Sequence, residues 1–409
     1  MIQFAKPDMS SSEISRVDDT LKSGCLTHGP NVTEFAEAVA KSAGADKAVC
    51  FDSCTAAMEM SLRVLGVGPG DEVITTPFTY TATAEVIRNV GATIVFCDLE
   101  QGSFEMDYKL LETLITDRTK AVIPVDYGGV PCKYDQLFQA IYNKASLFKP
   151  STPLQKSIGR VAIVADAAHS FGASYKGFPI GSVADFTCFS FHVLKPITTG
   201  GEGGAVTWNN FEDYDNDRLS RTLELLGDHG QTAKGISGIH GREWEYDISI
   251  FGYNHIMTDV DASVGLAQLS RIESLESARA GLASCYYEYL PQGVTPGLSH
   301  FSSEYKSSMH LFPIFINGAG ENERNFVFAK LQEKGISCNV HYKPLPMFTA
   351  YIRAGFDIAD YPVTYETYKG LLTLPYHTSM TIDDVKIVCE ELGKAVSDLC
   401  TQPSKAPRF

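Results

Sequence analysis

Basic charge is what this chain has least of: 34 lysines and arginines face 49 acidic residues, a net charge of −15. A nucleic-acid surface or an anionic membrane surface needs the opposite balance, and no helix-turn-helix pattern is present. No apolar run approaches the length of a membrane span. Residues 1–8 lack the apolar core of a signal peptide, so a cytoplasmic location is expected. The ten cysteines form no CxxC pair. Several, such as Cys97 and Cys188, sit in apolar strand-like runs and read as reduced core thiols, not as a disulfide framework or a metal site. Repeats and low-complexity tracts are missing too. No GxGxxG follows the first strand, which removes a dinucleotide-binding reading.

What is there suits an ordinary globular protein of 409 residues, 44% apolar and 20% charged. Short apolar runs alternate with helical stretches from about residue 45 to 210, the pattern of an α/β fold with a mostly parallel sheet. Seven strands are predicted at 48–51, 72–75, 93–97, 121–125, 161–165, 186–190 and 204–208. Helices are predicted at 55–65, 83–90, 109–114 and 134–143. Residues 1–275 are expected to form a large α/β domain with an N-terminal segment. Residues 276–409 are expected to form a smaller α+β domain, with strands at 309–316 and 338–342 and helices at 322–334 and 382–399. Segment 144–157 reads as a surface insertion, 211–245 as a mobile excursion and 258–289 as one long helical stretch. The tail from 401 is expected to fray.

The residue that focuses attention is Lys195. It lies between the run Phe189-Ser190-Phe191-His192-Val193-Leu194 and the glycine-rich stretch 200–204. A lysine so placed would be desolvated, which lowers its pKa and makes its amine a nucleophile. That suggests a Schiff-base lysine for pyridoxal phosphate; the plain alternative is a strand-end lysine that reaches water. The run Val161-Ala162-Ile163-Val164-Ala165 tips the balance, because it reads as a buried strand that ends in Asp166. A carboxylate at the carboxyl end of a central strand faces the ligand crevice of an α/β fold. Pyridoxal phosphate needs such a group to keep its pyridine nitrogen protonated. His169, three residues on, is placed to orient the ring through its phenolic oxygen.

Other candidates are weighed in the same way. Cys54 and Thr55 open a helix after a strand and a polar turn, so their amides would form an anion cradle, with Ser53 or Thr55 as cap. Ser190 would add a hydroxyl to that phosphate. Tyr80 is favoured over Phe78 for stacking on a flat ring. Asn254 reads, from its turn-like neighbours alone, as a residue that satisfies turn backbone. His341 and Tyr342 either face a cleft or pack at a strand end.

Taken in order, these motifs resemble the DegT/DnrJ/EryC1/StrS family of pyridoxal-phosphate-dependent sugar aminotransferases, of fold type I. The similarity runs over nearly the whole chain. It covers Leu26-Thr27-His28-Gly29-Pro30, Cys54-Thr55-Ala56-Ala57, Gly66-Val67-Gly68-Pro69-Gly70-Asp71 and the run from Pro77 to Thr83. It continues through Asp166-Ala167-Ala168-His169, Ser190-Phe191-His192 with Lys195, Gly252-Tyr253-Asn254, and Leu374-Pro375-Tyr376-His377. The resemblance implies that Lys195 holds the cofactor and shuttles the proton, and that Asp166 pairs with the pyridine nitrogen. It places His169 near the phenolic oxygen and Tyr80 on the ring. Ser190, Cys54 and Thr55 would take the phosphate. It implies that Asn254 reaches the phosphate in a neighbouring subunit, hence a homodimer with shared sites. Thr27, His341 and Tyr342 are the implied substrate contacts.

The implied substrates are glutamate and a nucleotide-linked ketosugar. The run from Ser190 to Thr199 and Val340-His341-Tyr342-Lys343-Pro344 are most similar to the branch that aminates C4 of 4-keto-6-deoxy sugars, as in pseudaminic acid synthesis. Two departures from the family pattern stand out: Gly200-Gly201 before Glu202, and the length of 144–157. Competing readings are a cyclitol or other ketone as acceptor, a dehydratase (which relatives with histidine in place of the lysine are), and a non-enzymatic regulator.

Overall fold

In a computed structural model, residues 1–232 and 246–401 are described. The core is a seven-stranded sheet. Its strands are β1 (Lys47–Phe51), β2 (Glu72–Thr75), β3 (Thr93–Phe96), β4 (Thr119–Ile123), β5 (Ala162–Asp166), β8 (Phe186–Ser190) and β9 (Gly204–Trp208). Between β5 and β8 lies a two-residue hairpin, β6 (Ser174–Tyr175) with β7 (Phe178–Pro179). The sheet order is β1-β9-β8-β5-β4-β2-β3. All neighbours are parallel except β9, which runs antiparallel to both β1 and β8.

Helices cover both faces, which is why β4, β5, β8 and β9 are buried throughout and are rich in apolar residues. The cores on the two faces are separate: Phe35, Ile163, Phe189 and Phe191 lie on one, Met58, Leu62, Val164 and Trp208 on the other. The antiparallel β9 sets β1 in the same direction as β8. The carboxyl ends of β1, β2, β4, β5 and β8 therefore meet at one edge, where an α/β sheet binds its ligands.

The C-terminal part adds a second sheet, β10 (Val294–Pro296), β12 (Phe312–Ile316) and β13 (Leu371–Leu374) in that order, antiparallel throughout. The helices Ile272–Tyr289, Glu321–Glu333 and Ile382–Thr401 accompany it. A small strand β11 (Tyr305–Lys306) reaches back to β6. The α/β class with a mostly parallel seven-stranded sheet is thus as expected. The division at 275/276 remains a proposal; it lies inside the helix Ile272–Tyr289.

Several local expectations need correction. Segment 144–157 is not a bare insertion: Thr152 caps the helix Pro153–Ile158, and buried Gln155 donates to the Leu65 carbonyl at 2.9 Å. Within 211–245, Asn216–Gly227 is a helix that buries Leu219 and Leu223; residues 233–245 lie outside the described residues. The stretch 258–289 breaks at Arg271 into Asp259–Ser270 and Ile272–Tyr289. Residues 338–342 make only one bridge, Asn339 to Thr373, in place of a strand. The frayed tail falls almost wholly on 402–409, outside the described residues.

Candidate active site

The loops at that sheet edge and the C-terminal part enclose a cavity of about 980 Å³. Five strand ends contribute to its lining: Ser53, Cys54 and Thr55 after β1, Tyr80 after β2, Val125 after β4, Asp166 and His169 at β5, and Ser190 and Lys195 from β8 onward. The C-terminal part closes it with His310, Asn339, His341, Tyr342, Lys343 and Phe348.

Register explains the cradle. Phe51 pairs with Gly204, and Gly204 pairs with Ser190. The turn after β1 and the end of β8 are thus brought together across β9. A side chain at Gly204 would prevent it, because its Cβ would lie 2.2 Å from the Ser53 carbonyl carbon and 2.3 Å from the Cys54 nitrogen. Ser53 caps the helix Cys54–Leu65 by accepting from the Ala56 amide at 3.1 Å. The amides of Cys54 and Thr55, in the first turn, have no acceptor among the described residues. Unpaired first-turn amides and a helix dipole make an anion site. Ser190 Oγ accepts from the His192 amide at 3.3 Å and is otherwise open to the cavity.

Asp166 is the last residue of β5. Its Oδ2 accepts from Thr83 Oγ1 at 2.7 Å and its Oδ1 from the Ala168 amide at 3.1 Å. No cation among the described residues pairs with it. Burial pushes its pKa up, against the pull of Thr83, Ala168 and Lys195. A buried carboxylate with two neutral donors is stabilised further by a cation placed before it. Lys195 lies in the same cavity with no ion-pair partner among the described residues. Burial lowers its pKa, opposed by Asp166, Cys54 and Glu202.

His169 is held by a backbone device. Gly128, at φ 63°, donates its N–H to His169 Nδ1 at 3.1 Å. His169 Nε2 lies 3.1 Å from the Tyr342 hydroxyl. Burial, then Lys195, keeps its pKa well below the usual histidine range. His341 is pushed down to about 3 by burial, and His310 is lowered too. The cavity imidazoles are therefore neutral at pH 7.

Of the residues singled out in the sequence, Lys195, Asp166, His169, Ser190, Cys54, Thr55, Tyr80, His341 and Tyr342 come together here. Thr27 and Asn254 do not line this cavity within one chain; both are exposed. The Asn254 side chain bonds no turn backbone among the described residues, and its main chain bridges to Asp228. Phe78 is a core residue, packed on Phe104 and Tyr127. Thr83, Gly128, His310 and Lys343 were not singled out. Thr83 could have been suspected from its spacing with Thr79, whose hydroxyl it meets at 2.7 Å, but Gly128 acts through its backbone and carries no side-chain signal.

A desolvated lysine, a strand-end aspartate seeking a cation and free helix amides beside a serine fit pyridoxal phosphate group by group. They define the class of enzymes that use this cofactor. The comparisons agree. The model of the DegT/DnrJ/EryC1/StrS aminotransferase family matches residues 7–393. A putative sugar aminotransferase of Streptococcus pneumoniae, Spr1654, solved in its PLP form, is 42% identical with a TM-score of 0.93, over 97% of this chain and 99% of that one. The spore coat polysaccharide biosynthesis protein SpsC of Bacillus subtilis is 34% identical over 97% of both chains. The UDP-4-amino-4-deoxy-L-arabinose--oxoglutarate aminotransferase of Shewanella sediminis is 33% identical over 97% of this chain and 98% of its own. This chain belongs to the DegT/DnrJ/EryC1/StrS aminotransferase family. It is a pyridoxal-phosphate-dependent aminotransferase.

Proposed function

We propose that the enzyme transfers an amino group from glutamate to a ketosugar carried on a nucleotide, at C4 of a 4-keto-6-deoxy sugar, in amino-sugar synthesis. The observation that carries this is the cavity itself. At about 980 Å³ it sits at the upper end of small-ligand sites, about 300–1,000 Å³, and so has room for a second, large ligand beside the cofactor. The relatives support the reading: one is named for a 4-amino sugar on UDP and for oxoglutarate, another for polysaccharide synthesis.

When bound, pyridoxal phosphate supplies an electron sink that lets a proton leave the carbon bearing the amino group. The chain's own residues do the rest. Lys195 holds the cofactor through its amine and then, with its pKa lowered by burial, takes that proton and returns it one step later. Asp166 holds the proton on the pyridine nitrogen. The amides of Cys54 and Thr55 and the Ser190 hydroxyl would bind the phosphate, Tyr80 would stack on the ring and His169 would sit near the phenolic oxygen. His341 and Tyr342 are the proposed substrate contacts in the same cavity.

We also place Asn254 in the neighbouring subunit's site within a homodimer, with Thr27 as a substrate contact. Asn254 is exposed, and Phe251, three residues before it, is 97% exposed. An apolar side chain so placed suits a covered surface. The test is product analysis. Holoenzyme given glutamate and a panel of nucleotide 4-ketosugars should release one 2-oxoglutarate per amino sugar formed, and Lys195→Ala should release none. Dehydrated sugar without 2-oxoglutarate, or turnover only with free ketones, would overturn the reading.

A further inference from the structure

The reading just given sets a problem for the cavity. Its two substrates enter the same space in turn, one a dicarboxylate, the other a nucleotide diphosphate. Both need a cation. Yet among the described residues of one chain that line the cavity there is no arginine, and the lysines are Lys195 and Lys343 alone. Lys195 is committed to the chemistry. The imidazoles of His169, His192, His310 and His341 all have their pKa values lowered by burial, so at pH 7 they bind an anion only as neutral donors. That leaves Lys343.

Its setting suits the task. Lys343 is exposed and has no ion-pair or hydrogen-bond partner among the described residues. Its ammonium rests 4.9 Å from the centre of the Phe348 ring. That ring is itself 43% exposed at the cavity rim. In a chain of net charge −15, a lysine that faces an aromatic ring and no carboxylate is held free for an incoming anion. Its backbone is also anchored on both sides. The preceding Tyr342 touches His169 at 3.1 Å, and the Leu345 amide donates to the Pro77 carbonyl at 2.9 Å. Pro344 and Pro346 stiffen the segment between and after. A fixed base with a long flexible stem can bring its charge to anions at different depths.

We propose that Lys343 is a shared anion anchor, binding a carboxylate of the amino donor in one half-reaction and the diphosphate of the acceptor in the other. This rests on the function proposed above. The experiment measures binding to holoenzyme by calorimetry: 2-oxoglutarate and UDP (with dTDP and GDP alongside), and uridine as an uncharged control. It is repeated with Lys343→Gln and Lys343→Arg. The expected result is that the glutamine variant weakens both 2-oxoglutarate and the nucleoside diphosphate by about ten-fold. The arginine variant should stay within a few-fold of wild type, uridine should be unchanged, and UDP and 2-oxoglutarate should compete. Loss of only one anion's affinity, or an equal loss for uridine, overturns the shared anchor. So does wild-type affinity for both anions in the glutamine variant. Wild-type enzyme that binds 2-oxoglutarate but no nucleoside diphosphate overturns the nucleotide reading itself, and the anchor with it.

Discussion

Gly204→Ala is the substitution whose effect can be worked out most directly from the geometry. The added methyl would sit 2.2 Å from the Ser53 carbonyl carbon, 2.3 Å from the Cys54 nitrogen and 2.5 Å from the Ser53 oxygen. Non-bonded carbons prefer about 3.5–4.0 Å, so the backbones must part by more than about 1 Å. β9 cannot move freely, because Gly204 is paired on one side with Phe51 and on the other with Ser190. The displaced element is then the turn 53–55, whose free amides form the anion cradle. Overpacking of this kind costs about 1–3 kcal/mol. Taken wholly from cofactor binding, that is a rise in the Kd for pyridoxal phosphate of about 5- to 150-fold. Titration of the apoenzyme with pyridoxal phosphate and urea denaturation of the same apoenzyme separate the two ways the cost can appear. Gly281→Ala is the control, since its Cβ meets nothing within 4 Å on the helix Ile272–Tyr289, where alanine is the better residue. If Gly204→Ala binds the cofactor within about two-fold of wild type and unfolds within about 0.5 kcal/mol of it, register does not build the cradle.

Two further predictions concern buried polar groups. Thr83→Val removes the donor to Asp166 Oδ2 without changing shape; apoenzyme stability should fall by about 1.5–3 kcal/mol, the range for a hydrogen bond to a charged group, while Thr83→Ser keeps most of it, as urea denaturation at pH 7 would measure. His300 is 2% exposed and burial holds its pKa at about 4. The unfolded ring binds a proton near pH 6.5, so between these values the unfolded state carries more protons and stability falls as the pH drops. Its share of the loss from pH 7 to 4 is about 3 kcal/mol. His300→Gln should flatten the stability–pH curve by that amount, and an unchanged curve would refute the assignment.

How much of this was legible in the sequence depended on which physical signal each part carries. β2, β8 and β9 were predicted at their observed bounds because they are short runs rich in apolar and β-branched residues, as strands covered on both faces are. The break at Arg271 was missed because the residues on either side continue a helical pattern. Arg271 itself is bound to Asp8 and Glu13, contacts more than 250 residues away that no local pattern reveals. The helix at 153–158 was missed because a polar, proline-rich stretch reads as surface until Gln155 finds the end of another helix. The same division holds in the cavity. Lys195, Asp166 and Cys54-Thr55 sit at strand ends, which sequence locates. That His341 and Tyr342 face the same space follows from how the C-terminal part folds back, which it does not locate.

The chain from Gly128 to Tyr342 shows what such long-range contacts add. The Gly128 amide can only donate, so His169 Nδ1 must accept, and the ring's single proton must sit on Nε2. Nε2 then donates to the Tyr342 oxygen 3.1 Å away, which frees the tyrosine's own proton for an acceptor in the cavity. Protonation of His169 would cost the Gly128 hydrogen bond as well as the burial of a charge beside Lys195. The ring therefore stays a neutral donor with one fixed tautomer across the working pH range. A glutamine could offer the same donor, but nothing in its amide would compel the orientation. Here a backbone N–H in a left-handed turn does so, and only a glycine takes that turn without strain.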